Sequence, residues 1–148
     1  MKDVFPALAI TFAIQAALAA GIYAPPVLAA AAQRDIGVAA SAVGIFTALA
    51  YLAAAISSFV AGPLVARMGA VRASQVCLVV SGFGLAIVAS ASLPLVVLGA
   101  LLLGAAYGPA TPASSQLLVA LTPARLRATV LSLKQTGVPA GGVAVGAL

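Results

Sequence analysis

No histidine occurs in this 148-residue chain, and cysteine occurs only once. The first absence removes the commonest general base and metal ligand. The second excludes a disulfide framework and a multi-cysteine metal site. Cys77 stands inside an apolar stretch and reads as a small buried apolar side chain. Charge is also scarce. Seven basic and two acidic residues make up 6% of the chain, against roughly 25% in a soluble domain. The net charge of +5 contains no basic run, so it is not a nucleic-acid signal. Isolated Arg and Lys beside apolar segments are how membrane proteins carry their orientation charges.

What the chain does have is long uncharged runs. It is 64% hydrophobic, with a mean hydropathy of +1.25. No charge falls within residues 4–33, 36–66, 73–124 or 135–148. A helix crosses a bilayer core with about 20 mainly apolar residues, and all but the last run are long enough. Lipid offers no partner to a backbone donor or acceptor, so spans are helices or a closed barrel. A barrel needs polar and apolar residues in alternation. Leu95-Val96-Val97-Leu98 and Leu101-Leu102-Leu103 do not alternate. The chain therefore reads as an all-α integral membrane protein with the lipid bilayer as its solvent.

Five spans are expected, over residues 4–31, 41–61, 73–90, 95–121 and 127–148. Lys2 followed by an apolar run imitates a signal peptide, and Ala17-Leu18-Ala19 imitates its cleavage site. The run continues to Ala32, beyond a signal core of about 7–15 residues. Pro25 and Pro26 predict a bend or local break in the first span. Arg34 and Asp35 mark the first connection, and residues 62–72 the second. The stretch 73–124 would be nearly 80 Å long as one helix, so it folds back at Ser90-Ala91-Ser92-Leu93-Pro94. Gly108, Pro109 and Pro112 predict an interruption in the fourth span. With the N-terminus cytoplasmic, one side receives Lys2, Arg67, Arg72, Arg125 and Arg127, and the other only Arg34. The positive-inside rule favours that orientation. No connection follows the fifth span, which reads as a piece of a longer protein.

There is an internal echo. Tyr23-Ala24-Pro25 and Tyr107-Gly108-Pro109 share a Tyr-small-Pro pattern at an offset of 84 residues. The same offset carries the second span onto the fifth. Matching spans cross in opposite senses, as inverted repeats require, and paired Pro/Gly-interrupted spans point to a transporter's binding region. Chance is the competing reading, since Pro and Gly are common in membrane helices.

Two segments carry a family resemblance. In the second connection, Gly62, Leu64, Arg67 and Gly69 match a Gly-x-Leu-small-Asp-Arg-x-Gly-basic-basic pattern. The Asp position holds Ala66, the basic positions hold Ala70 and Val71, and Arg72 is displaced by one. The chain here resembles the loop between helices 2 and 3 of the major facilitator superfamily. Ser132-Leu133-Lys134-Gln135-Thr136-Gly137-Val138-Pro139-Ala140-Gly141-Gly142 resembles the fifth helix of bacterial members. Antiporter-type members carry Gly-Pro-x-x-Gly-Gly there. Val138 separates Gly137 from Pro139, and only Ala140 separates Pro139 from Gly141, so antiport is not inferred.

The resemblance implies a fold, a function and a set of partners. The fold is the N-terminal six-helix half of such a transporter without its sixth helix. The location is the bacterial inner membrane, with the N-terminus cytoplasmic. The function is secondary transport of a small solute by alternating access, completed by a C-terminal half, with no cofactor. It also implies that Gly62, Leu64, Arg67, Gly69 and Arg72 form a conformational motif, whose carboxylate latches the two halves on the cytoplasmic side. Alanine at position 66 can neither accept a hydrogen bond nor pair with a cation.

Polar residues at membrane depth are costly and often functional. The cavity candidates are Gln15, Tyr51, Tyr107, Thr111, Lys134 and Gln135. Four-residue spacing puts Thr11 with Gln15, Thr47 with Tyr51, and Tyr107 with Thr111 on shared helix faces. Interhelical hydrogen bonds, at about 0.6 kcal/mol each, are the alternative role for these groups. Lys134 either snorkels to the cytoplasmic surface or acts as a cavity cation favouring an anionic solute. Gly104 with Gly108, Gly137 with Gly141, and Gly142 with Gly146 are pairs four apart that let backbones approach closely in lipid. Pro25, Pro109 and Pro139 are expected kink points.

No Asp or Glu lies within an expected span, so a proton-coupled mechanism would need its carboxylate elsewhere. A small self-contained oligomeric membrane protein, a channel or assembly subunit, is the competing function. A membrane enzyme lacks support, because no histidine, in-span carboxylate or metal cluster exists to perform chemistry. The charge bias makes a first prediction. A membrane-impermeant reagent added to intact cells leaves the neighbours of Arg67 and Arg125 unlabelled. Labelling there from outside would reverse the orientation.

Overall fold

The computed structural model describes residues 3–36, 39–90 and 92–147, with side chains undescribed at 30–36 and 40. Lys2, Ala91 and Leu148, together with the side chains of Arg34 and Asp35, thus lie outside the described residues. The described residues form helices and short turns only. Helix α1 spans Val4–Ile36, α2 Ala40–Ser58, α3 Ala61–Val88 and α4 Leu93–Leu121. A 3-10 turn over Ala124–Leu126 leads to α5, Arg127–Gln135, and α6, Gly137–Gly146. Among the described residues four helices are long and apolar enough to cross a membrane, carried by α1 to α4.

The helix bounds differ from the sequence expectation in four places, each with a physical reason. First, α1 continues to Ile36 and contains Pro25 and Pro26 without a break. The two prolines withdraw donors only from the Gly21 and Ile22 carbonyls, while the surrounding ladder holds. Second, α4 likewise runs unbroken through Pro109 and Pro112. Third, most of the expected connection 62–72 is helical. Pro63 falls in the first turn of α3, where its missing N–H has no partner to lose. The real break is Gly69, at φ 79° and ψ 159°, a backbone region open essentially only to glycine. Fourth, within the expected helix 127–148 a turn at Thr136 separates α5 from α6, though Thr136 keeps right-handed helical dihedrals, φ −66° and ψ −11°. Pro139 cannot donate to the Gln135 carbonyl, so the ladder fails there.

Helices α1 and α4 are central. Helix α3 lies mainly against α4, α2 lies against α4, and α6 lies against α1. Small residues dominate the buried set. Ala50, Ala100 and Leu103 pack with Ile22 and Phe46. Leu18, Cys77, Ala106 and Ala110 form a second cluster, and Val65, Ala73 and Ala113 a third. Many large apolar side chains point outward instead: Phe5, Ile56, Phe59 and Phe83 are exposed. Such an inside-out distribution suits a hydrocarbon solvent, in which burying leucine gains little and close backbone contact gains more.

Glycine produces that contact. A methyl group on Gly104 would run into the Ala50 carbonyl, and one on Gly108 into Ala54 and Ser57. This is the α2–α4 seam. At the α1–α6 seam, a methyl on Gly137 would lie 2.7 Å from the Phe12 carbonyl oxygen, and one on Gly141 would strike Ala16. The echo of 84 residues thus has a spatial counterpart. Each unit's second helix packs against the other unit's first.

The seams predict where bulk is tolerated. Gly104→Leu and Gly141→Leu force backbones apart and cost about 1–3 kcal/mol in unfolding experiments on detergent-solubilised protein. Gly44→Leu, at a position with nothing within 4 Å, changes stability by less than about 0.5 kcal/mol.

Candidate functional site

A polar network crosses the bundle where α1, α4 and α5 meet. Gln15 is 1% exposed, and its Nε2 donates to Thr111 Oγ1 at 3.1 Å. The Thr111 carbonyl accepts from Lys134 Nζ at 3.1 Å. The same ammonium donates to Ser115 Oγ, also at 3.1 Å. Lys134 is 1% exposed and ranks among the largest fully buried side chains of the protein. Thr111 is therefore the junction, taking Gln15 on its side chain and Lys134 on its backbone.

The local sequence explains why α4 hosts this junction. Thr111 stands between Pro109 and Pro112, which withdraw the donors to the Ala105 and Gly108 carbonyls. Ser115 is four residues on and lies on the same face. Ser114, by contrast, spends its hydroxyl on the Ala110 carbonyl at 2.7 Å. The Lys134 ammonium has only neutral partners, and taking a charge out of water costs several kcal/mol.

Beside the network is a cleft of about 380 Å³ between α2 and α4, lined by Tyr51, Ala54, Ser58, Tyr107, Thr111 and Pro112. Tyr51 and Tyr107 meet edge to face, with centroids 6.4 Å apart and planes at 81°. The Tyr51 hydroxyl lies 3.5 Å from that of Tyr23, a long hydrogen bond. All three tyrosines of the chain are thus gathered at one place. Tyr51 keeps 41% of its surface exposed.

Among the expected cavity residues, Gln15, Thr111 and Lys134 are brought together, with Tyr51 and Tyr107 adjoining. Gln135 is not. It lies about 100° round the helix from Lys134, is exposed, and makes no side-chain hydrogen bond among the described residues. Thr11 and Thr47 return their hydroxyls to their own helices, at Ala7 and Val43. The sequence reading missed Ser115 and Tyr23. Four-residue spacing from Thr111 pointed to the first, and the Tyr-small-Pro echo to the second.

The expected conformational motif occupies the start of α3. Gly62, Arg67 and Arg72 are exposed, and Leu64 packs beside Val65 and Ala73. Gly69 holds the non-helical backbone conformation within α3. Among the expected packing residues, Gly104, Gly108, Pro109, Gly137 and Gly141 are buried. Gly142 sits against the Tyr23 ring. Pro25 is half-buried, and Pro139 is exposed at the α5–α6 break.

No curated protein and no solved structure matches the chain. The family model described as Major Facilitator Superfamily matches residues 7–148, nearly the whole sequence. Members of that family are transporters rather than enzymes. The apolar helices agree with that match: the chain is an integral membrane protein of the major facilitator superfamily.

Proposed function

We propose that this chain is the N-terminal portion of a permease that moves a small solute by alternating access. The location we assign is a bacterial inner membrane, with the N-terminus in the cytoplasm. The observation that carries the reading is the Gln15–Thr111–Lys134 junction. Two apolar spans, α1 and α4, and the helix α5 commit polar groups to one point, and a polar group at membrane depth is costly unless it is used. The adjoining cleft is open on one side. A second helical half would close it, and the solute would lie between the two halves near the midplane.

The glycine seams supply smooth contacts for rocking. Helices meeting backbone to backbone can slide without unlocking large side chains. Gly69 gives α3 a corner at the expected cytoplasmic end. With Ala66 in place of a carboxylate, we propose that the outward-facing state is held by Arg67 and by packing. Ala66 and Arg67 are both exposed at this corner, where they would meet the other half.

Two experiments test the reading. In liposomes containing the permease, preloading with the transported solute accelerates uptake of labelled solute, and uptake saturates. Non-saturating flux unaffected by solute on the far side would instead mark a channel. Ala66→Asp restores the missing acceptor and shifts the balance of cytoplasmic and periplasmic accessibility, read by cysteine labelling of the two faces. An unchanged balance would remove the proposed role of Arg67.

A further inference from the structure

We propose that the cleft between α2 and α4 binds an organic anion with a flat apolar body, its charged end taken by Lys134. This deepens the permease reading and rests on it.

The charge argument comes first. An ammonium has three protons to donate, and the Thr111 carbonyl and Ser115 hydroxyl account for two. Both acceptors are neutral, and the side chain is 1% exposed. No acidic side chain lies within a span among the described residues. Asp3 is exposed near the start of α1. Asp35 follows Gln15 on the same helix by about 30 Å along the axis, too far to reach Lys134. A buried cation without a counter-charge is destabilising by several kcal/mol. A bound anion would supply that charge, and an amine would meet repulsion.

The shape argument concerns the body of the ligand. Thr111 accepts the Lys134 ammonium and also forms part of the cleft wall, so the cation is one hydrogen bond from a residue of that wall. Apart from Ser58, the rest of the lining is apolar or aromatic. Ala54, Pro112 and the rings of Tyr51 and Tyr107 offer flat surfaces. The hydroxyl of Ser58 is already spent on the Ala54 carbonyl at 2.8 Å. A cleft of about 380 Å³ far exceeds an inorganic oxyanion. The tyrosine pair meets edge to face, leaving ring surface for a planar group to stack on. On binding, the ammonium gives its third proton to an anionic oxygen, a hydrogen bond roughly twice as strong as one to a neutral acceptor.

Equilibrium binding to the purified permease in nanodiscs, with no gradient, tests this apart from transport. The probes are benzoate, acetate, sulfate, benzamide and benzylammonium. Benzoate is expected to bind at least roughly tenfold more tightly than each of the others, a difference of about 1.4 kcal/mol. Lys134→Met removes that preference, and benzamide binding stays as it was. Lys134→Arg keeps a charge at the site and retains benzoate binding, and the unchanged benzamide binding of Lys134→Met shows that its loss of benzoate does not come from misfolding. Tyr107→Leu brings benzoate down to the level of acetate. Equal binding of benzamide or benzylammonium would overturn the proposal, and so would equal binding of acetate or sulfate. An unaltered benzoate affinity in Lys134→Met, or no binding of any probe, would overturn it too. Saturable transport of a neutral solute, indifferent to Lys134, would keep the permease and discard the anion.

Discussion

Hydrocarbon offers a peptide group no partner, and a helix within it gains nothing by hiding its leucines. The architecture follows from that double constraint. Backbone groups must be satisfied within each helix, and helices must adhere through close contact instead of expelled water. Alanine and glycine therefore fill the interior while Phe5, Phe59 and Phe83 face outward. Gly104 and Gly108 bring α4 onto the backbone of α2, and Gly137 and Gly141 bring α6 onto α1.

The prolines show how the same constraint produces irregularity without disorder. Pro109 and Pro112 cost α4 two backbone hydrogen bonds, yet the helix stays whole. Between them sits the one residue that receives both Gln15 and Lys134. Pro139 acts differently. It stands in a short segment beginning with glycine, where a turn at Thr136, still helical in its dihedrals, separates α5 from α6. Lys134 rides on the first piece, and the glycine seam belongs to the second. Charge and packing on the fifth expected span are thereby assigned to separate helices.

Much of this was legible in the residue string. Long uncharged runs gave the membrane class and the first four spans, and two short motifs pointed to the superfamily. The polar residues flagged at membrane depth include the three that meet, because lipid leaves a buried Gln or Lys few alternatives to another helix. Less visible was anything that depended on angular position. Gln135 and Lys134 are neighbours in sequence and face different surroundings, a distinction set by how α5 rolls against α1 and α4. Local proline rules also misled. They treat each helix as isolated, whereas α1 and α4 are held on several sides by neighbours that keep a defective ladder straight. The connection at 62–72 was mistaken for a loop because Gly62-Pro63 signals a turn, while the same pair serves equally well as a helix entry.

The corner at Gly69 has a consequence for robustness. Its direction is fixed by a dihedral preference, and the nearby carboxylate position is occupied by Ala66. Acidification or high ionic strength, which weaken attachments built from opposite charges, leave such a bend as it is. The elbow at Gly69 is geometric in origin, and its shape should survive both acid and salt.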